Sequence, residues 1–184
     1  MKKITFVLIF GAIFINLNNA AADNYKYVPY IGGGYQFDKA QLAEVRPQYH
    51  SVYLYVGSDY SSYFGTELFF SQSASENNKL GNKKLKSSYR AYGLDVLGYL
   101  PVDCQKKFSL AATAGFGEYT FNLKKTTAAK HHNEHGYGYR LGGGFKYVLD
   151  AHWQARLLAR YVRFDKVDDV NQSLEYTLSA EYHF

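Results

Sequence analysis

His131, Glu134 and His135 stand in the order H-x-x-E-H, a spacing that one class of zinc peptidase uses to put two imidazoles and a carboxylate around a metal. That chemistry needs a helix, so that all three side chains share a face. Here the run is set among Lys124, Lys125, Thr126, Thr127 and Lys130, a polar segment between two strand-like stretches. A peptidase is therefore not expected. What remains is a solvated loop, with weak binding of zinc or nickel by the imidazoles as the other reading.

Gly32 to Gly34, Gly115-Phe116-Gly117 and Gly142 to Gly144 invite a phosphate-loop reading. None precedes a helix or carries the lysine that such a loop requires. Glycine in a strand instead permits sharp curvature and lets a neighbouring aromatic ring lie over bare backbone. Candidate nucleophiles such as Ser51 and Ser71 have no histidine and acid partner in sequence. No catalytic site, cofactor or structural metal is assigned.

The remaining charged residues fall into a pattern. Glu67, Asp95, Arg140, Lys146, Arg156, Arg160 and Glu181 all lie on the polar side of segments that alternate apolar and polar residues. An unpaired buried charge is costly. If these positions face a narrow interior, Glu67, Asp95 and Glu181 are expected to neutralise Arg140, Lys146, Arg156 and Arg160.

The alternation itself has period two and never a sustained helical period. It is cleanest at the end of the chain. Leu174, Tyr176, Leu178, Ala180, Tyr182 and Phe184 oppose Glu175, Thr177, Ser179, Glu181 and His183. Trp153, Ala155, Leu157, Ala159 and Tyr161 oppose Gln154, Arg156, Leu158 and Arg160, and similar runs surround Val52, Leu68, Leu94, Leu110 and Leu141. The run near residues 27–37 is hardest to phase, because its glycines interrupt it.

Eight strands of about 10 residues result. Long polar connections at 38–48, 72–87, 122–135 and 165–172 alternate with short ones at 58–62, 101–106 and 149–152. An even strand count with long loops at one end and short turns at the other is the pattern of a transmembrane barrel, the short turns periplasmic. Alternation alone also suits a soluble lipocalin-like barrel with its apolar face inside. Charges of both signs on the polar face decide for the membrane barrel, as do the aromatics near strand ends on the apolar face. The fold class expected is all-β: an eight-stranded antiparallel up-and-down transmembrane β-barrel.

Residues 1–22 read as a cleaved signal peptide and 23–184 as the barrel domain. Lys2 and Lys3 precede an apolar run at 4–17, and Ala20-Ala21-Ala22 supplies the small residues of a cleavage site. The run, about 14 residues, is short for a membrane helix. Cys104 stands alone, which excludes a disulfide scaffold and suggests a free thiol in a turn, an intermolecular disulfide being the other reading. The formal charge of +5 includes Lys2 and Lys3 and is no nucleic-acid signature.

Tyr30-Ile31-Gly32-Gly33-Gly34-Tyr35-Gln36-Phe37, Phe64-Gly65-Thr66-Glu67-Leu68 and Ala180-Glu181-Tyr182-His183-Phe184 resemble the small outer-membrane barrels grouped around the OmpA transmembrane domain, OmpX and the opacity-type surface antigens. The resemblance spans the mature chain as a pattern, without a unique fingerprint. It implies a bacterial outer-membrane location. It also implies that Leu178, Ala180, Tyr182 and Phe184 form the terminal signal read by the barrel-assembly machinery, with Ala180 smaller than that family's usual choice.

The partners expected are outer-membrane lipid, lipopolysaccharide and host surface molecules. The function expected is a non-enzymatic surface barrel serving membrane integrity, adhesion or host interaction. A lipid A-modifying enzyme and a narrow ion channel are the rivals. Lys79, Lys83, Lys84, Lys86, Lys124, Lys125 and Lys130 cluster in two of the long segments. Contact with anionic lipopolysaccharide or host glycans is one reading of them, a solvated loop surface the other.

Overall fold

Strand-forming alternation runs through nearly every segment of this computed structural model, which describes residues 27–42, 48–80, 83–125, 131–165 and 170–184. The signal-peptide expectation for residues 1–22 lies outside the described residues. Among the described residues nine strands form: β1 (Val28–Leu42), β2 (Gln48–Ser61), β3 (Phe64–Ser73), β4 (Glu76–Leu80), β5 (Lys83–Pro101), β6 (Phe108–Lys125), β7 (His131–Val148), β8 (Trp153–Asp165) and β9 (Val170–His183). Each pairs antiparallel with its neighbours, and β1 pairs with β9 while β3 pairs with β5. The sheet therefore closes on itself. It has eight staves, because β4 continues the stave of β3 and pairs only with β5.

Between β3 and β4 the register slips. Gln72 faces Arg90 and Glu76 faces Ser87, four steps along one strand against three along the other. This is a β-bulge: the extra residue sits at Ala74 and Ser75, and the backbone N–H of Ala74 donates instead to the His50 carbonyl at 2.9 Å.

Alternation decides what each wall faces. Leu141 and Leu178 are 66% and 61% exposed, whereas Glu67 and Arg160 next to similar apolar residues are 0% exposed. The outer surface carries Ile31, Tyr35, Leu54, Val56, Phe116, Tyr139, Phe145, Leu157 and Tyr161, a band far too apolar and continuous for water. A closed barrel satisfies every backbone group of its wall within the sheet, which is what hydrocarbon demands. Phase is thus as the sequence predicts on the staves whose alternation could be read, and on β1, which the sequence left unphased, Tyr30, Gln36 and Asp38 point inward.

Two expectations are corrected. The lysine-rich segments 72–87 and 122–135 are not loops but mostly ladder. β5 is 19 residues long and β6 and β7 are 18 each, well beyond the expected 10. β4, β5, β6 and β7 stand up from the outer rim as a four-stranded sheet, with ladders reaching Leu80–Lys83, Leu85–Lys125 and Lys124–His131. Lysine at neighbouring positions, as in Lys83-Lys84-Leu85-Lys86, hides the strand period in the sequence. β1 likewise runs to Leu42, inside the segment read as a loop.

At the opposite end the turns are tight. The carboxylate of Asp103 accepts N–H bonds from Phe108 at 2.9 Å and Lys107 at 3.1 Å, and that of Asp150 from His152 and Trp153, both at 2.8 Å. These bonds, Phe108 first for Asp103 and His152 first for Asp150, hold both carboxyls below the usual range. Cys104 is exposed in the first of these turns as a free thiol.

Candidate functional site: the charged interior

Inward positions on seven staves bring together nearly all the barrel's buried charges. The predicted residues Glu67, Asp95, Arg140, Lys146, Arg156, Arg160 and Glu181 are all buried. Six of them join in one chain of contacts. Arg140 Nη2 meets Glu175 Oε2 at 3.0 Å, and its Nη1 meets Asp95 Oδ2 at 3.5 Å. Arg160 then bridges Asp95 at 3.6 Å and Glu67 at 3.6 Å. Arg156 bridges Glu67 at 2.6 Å and Glu181 at 3.7 Å, and Glu181 ends on His183 Nε2 at 3.2 Å. Glu175 and Glu181 are six residues apart on β9, so the chain spans roughly 20 Å along the strand.

Lys146 departs from the expected partners. Its Nζ meets Asp59 Oδ2 at 3.2 Å and lies 3.5 Å from the centre of the Tyr99 ring. Lys146 is two residues before the end of β7 and Asp59 two before the end of β2, so both lie near the periplasmic rim.

Rings and hydroxyls fill what the ions leave. Tyr53 donates to Glu67 at 2.9 Å, Tyr55 to Glu181 at 3.1 Å and Tyr119 to Glu175 at 3.0 Å. The guanidinium of Arg140 lies 3.7 Å from the centre of the Phe69 ring and that of Arg156 4.6 Å from Tyr55. Tyr55 reaches Glu181 by lying flat across the opposite strand. Gly32 is its register partner, and a Cβ there would sit 2.2 Å from the ring. Glycine at 32 is what the close approach requires.

Sequence reasoning missed Glu175, Asp59, Asp38, His183 and the inward tyrosines. Glu175 and His183 share the parity of Glu181, and Tyr53 and Tyr55 the parity of Ser51, so their side of the wall was readable. Asp38 and Asp59 fell in segments assigned to connections. Asp38 accepts from Gln36 Nε2 at 2.7 Å, from Ser51 Oγ at 2.9 Å and from the Tyr89 hydroxyl.

The interior leaves little room. At its outer mouth a cavity lined by Asp38, Tyr49, Tyr89, Tyr119, Phe164 and Glu175 has a volume of about 10 Å³, space for one water.

The structure gathers no hydrolytic constellation from the residues considered. Ser51 bonds to Asp38 and Tyr89, and Ser71 to Tyr89. At the outer rim His135 Nδ1 lies 3.0 Å from Thr120 Oγ1 and 3.9 Å from Glu118 Oε1. Both contacts fall on one ring nitrogen, whereas a proton relay needs the two nitrogens on different partners. The run from His131 to His135 opens β7 as a strand, where the peptidase geometry requires a helix. No group of metal-ligating side chains forms among the described residues.

The predicted assembly residues lie on the outer wall of β9. Leu178, Ala180 and Phe184 are exposed and Tyr182 is half-buried. The Tyr182 ring packs against Trp153 and Phe184, with centroids 5.3 and 5.4 Å apart, and the Phe184 N–H donates to the Pro29 carbonyl at 3.1 Å. The last residue thus helps close the seam between the first and last strands.

A closed eight-stave barrel, apolar outside and charge-paired inside, is the build of a bacterial outer-membrane protein. The family model "Outer membrane protein beta-barrel domain" matches residues 7–184, and the chain belongs to that family and to the bacterial outer membrane. Comparison with curated protein sequences gives no match. Among solved structures it resembles Neisserial surface protein A (NspA), with a TM-score of 0.70 and 13% identity over 88% of this chain and 100% of that one. It also resembles Ail, the attachment invasion locus protein of Yersinia pestis (TM-score 0.60, 15% identity, 86% and 99% covered). OprG of Pseudomonas aeruginosa is a third (TM-score 0.58, 16% identity, 88% and 97% covered). At these identities the likeness is one of fold.

Proposed function

We propose that the protein is a non-enzymatic, sealed membrane anchor that displays the β4–β7 sheet at the cell surface, serving envelope integrity and contact with host surfaces. The observation that carries this reading is the contrast between a filled interior and a long outer extension. The chain of ion pairs from Glu175 to His183 occupies the lumen, which argues against conduction. A barrel needs only about 10 residues per strand to cross the membrane, and β5, β6 and β7 extend far past that. The name of the Yersinia pestis relative supports a role at the host surface. Leu178, Ala180, Tyr182 and Phe184 would serve as the assembly signal, their aromatic cluster being open on the outer wall.

The test is to replace residues 76–86 and 123–133 by short turns. The trimmed barrel should still reach the outer membrane and still migrate differently on a gel before and after boiling, while host-cell binding and serum survival fall to the level of a deletion strain. Unchanged binding and survival would refute display as the function. A steady conductance from the full-length barrel in planar bilayers would refute the seal.

A further inference from the structure

Among the described residues six buried carboxylates, Asp38, Asp59, Glu67, Asp95, Glu175 and Glu181, share the interior with four permanent cations, Arg140, Lys146, Arg156 and Arg160. The surplus of negative charge falls at the two ends. At the periplasmic end it lies beside His183, which bonds Glu181 and can itself carry a positive charge. At the outer end it lies on Asp38. Asp38 is 2% exposed, and its hydrogen-bond partners Gln36, Ser51 and Tyr89 are all neutral. Its register partner across the β1–β9 seam is Glu175, also 2% exposed. Like charges directly opposite each other destabilise a ladder, and a buried charge with no counter-ion is costly. Arg140 on β7 reaches the pair only through Glu175 and is divided between Glu175 and Asp95. Arg160 on β8 is spent on Asp95, Glu67 and Thr177. The other titratable groups around Asp38 are Tyr49 on β2, Tyr89 on β5 and Tyr119 on β6.

We propose that Asp38 and Glu175 form a proton-binding site at the outer mouth, where one proton held on Asp38 latches the seam between β1 and β9. Two carboxylates that share a site favour keeping one proton between them, and they titrate as a pair. The surrounding groups fit both states. With Asp38 ionised, the Tyr89 hydroxyl donates to it. With Asp38 protonated on Oδ2, the carboxyl donates to the Tyr89 oxygen, and Tyr89 turns its own proton to Ser71 Oγ at 3.3 Å. Gln36 Nε2 donates to Asp38 Oδ1 at 2.7 Å and to the Tyr89 oxygen at 2.9 Å in either case. The wall outside is already polar at this level, with Lys39, Gln48 and His50 exposed, so the mouth exchanges protons with water. The pair also sits where the seam is weakest. One step above it, Lys39 makes the last pair of β1 with β2, and the β1–β9 register slips just past Gln41. Repulsion at Asp38 therefore acts one step below the last level at which β1 is held on both sides in register with β2.

The full chain, refolded into phospholipid bilayers, is titrated from acid to mildly alkaline pH and followed by infrared spectroscopy. A protonated-carboxyl band should persist well above the ordinary aspartate value, about 3.9, vanish in one step, and be missing from Asp38→Asn. A proton held by the folded barrel and released by the unfolded chain stabilises the fold fully below that ordinary value. The stabilisation is lost as pH rises through the step. The gel-shift midpoint on heating should therefore fall across the step in the native barrel, and the permanently neutral Asp38→Asn should not follow it. Above the step the outer seam, 38–41 against 172–175, should exchange amide hydrogens faster than in Asp38→Asn once intrinsic rates are divided out. The proposal is overturned by a native barrel with no such band, by a band that Asp38→Asn retains, or by the same pH response of stability or seam exchange in both proteins. It is also overturned by a step that moves with sodium or magnesium concentration at constant ionic strength, which would make the ligand a metal cation. If Asp38→Asn does not fold, Tyr89→Phe is scored instead. Its carboxylate has lost a donor, so its step should move to higher pH, and an unmoved step overturns the site.

Discussion

At the periplasmic end the chain reverses at Ser62 and Tyr63, at 102–107 and at 149–152, and two of these turns are tied by Asp103 and Asp150. At the outer end β5, β6 and β7 run on as bare ladder, and β4 has no partner but β5. The wall between the two ends is constrained twice, by hydrocarbon outside and by ion pairs inside. The extension rises past that doubly constrained stretch. The comparison teaches that stability should be concentrated in the wall and weakly sensitive to the extension.

Arg156→Leu should cost most. It leaves Glu67 and Glu181 without the guanidinium that bridges them, and breaking a buried pair from one side costs about 3–5 kcal/mol. The gel-shift midpoint on heating should fall sharply. A midpoint like that of the native barrel would mean that the interior network does not support the wall.

Its neighbour in sequence gives a different failure. Leu157 is 49% exposed on the outer wall, and Leu157→Arg should lower stability by about 2–4 kcal/mol in bilayers. In lipid-free amphipathic polymer the loss should shrink, whereas that of Arg156→Leu should persist. Equal losses in both media would contradict the assigned phase.

A smaller effect is expected from Gly32→Ala. The new methyl displaces the Tyr55 ring from Glu181, an overpacking cost of about 1–3 kcal/mol. Tyr55→Leu in the same background should relieve most of it. Additive losses in the double variant would exclude the close approach as the cause.

The smallest effect belongs to the turns. Asp103 is lowered in the folded protein by its backbone donors, Phe108 first. A depressed folded value means that the turn's stabilisation is fully present above the ordinary carboxylate pKa, about 3.9, and is lost as pH falls through the lower folded value. The amide resonance of Phe108 should titrate with a midpoint below that of a free aspartate, and Asp103→Asn should abolish the titration. A midpoint at the ordinary value would show the turn to be open in solution.

What sequence could reveal follows the same division. In β9 every second residue answers to lipid, so Leu174 to Phe184 announce strand, phase and outward face together. The seven predicted interior charges were legible by parity alone. Their pairing was not. Lys146 on β7 finds Asp59 on β2 across the lumen, and strands that are not adjacent leave no periodic trace of each other. The extension was misread for the opposite reason: in Lys83-Lys84-Leu85-Lys86 and Lys124-Lys125 lysine fills neighbouring positions, so no apolar–polar alternation can be read.

The single extra residue at Ala74 and Ser75 has an evolutionary consequence. Below it the phase of the third stave is locked, because a one-residue slip would turn Glu67 toward lipid. Above it the count starts afresh. Insertions or deletions in the hairpin can therefore lengthen, shorten or reface what the cell shows to its surroundings without retuning the stave beneath. A surface under changing selection can diversify on a foundation that stays fixed.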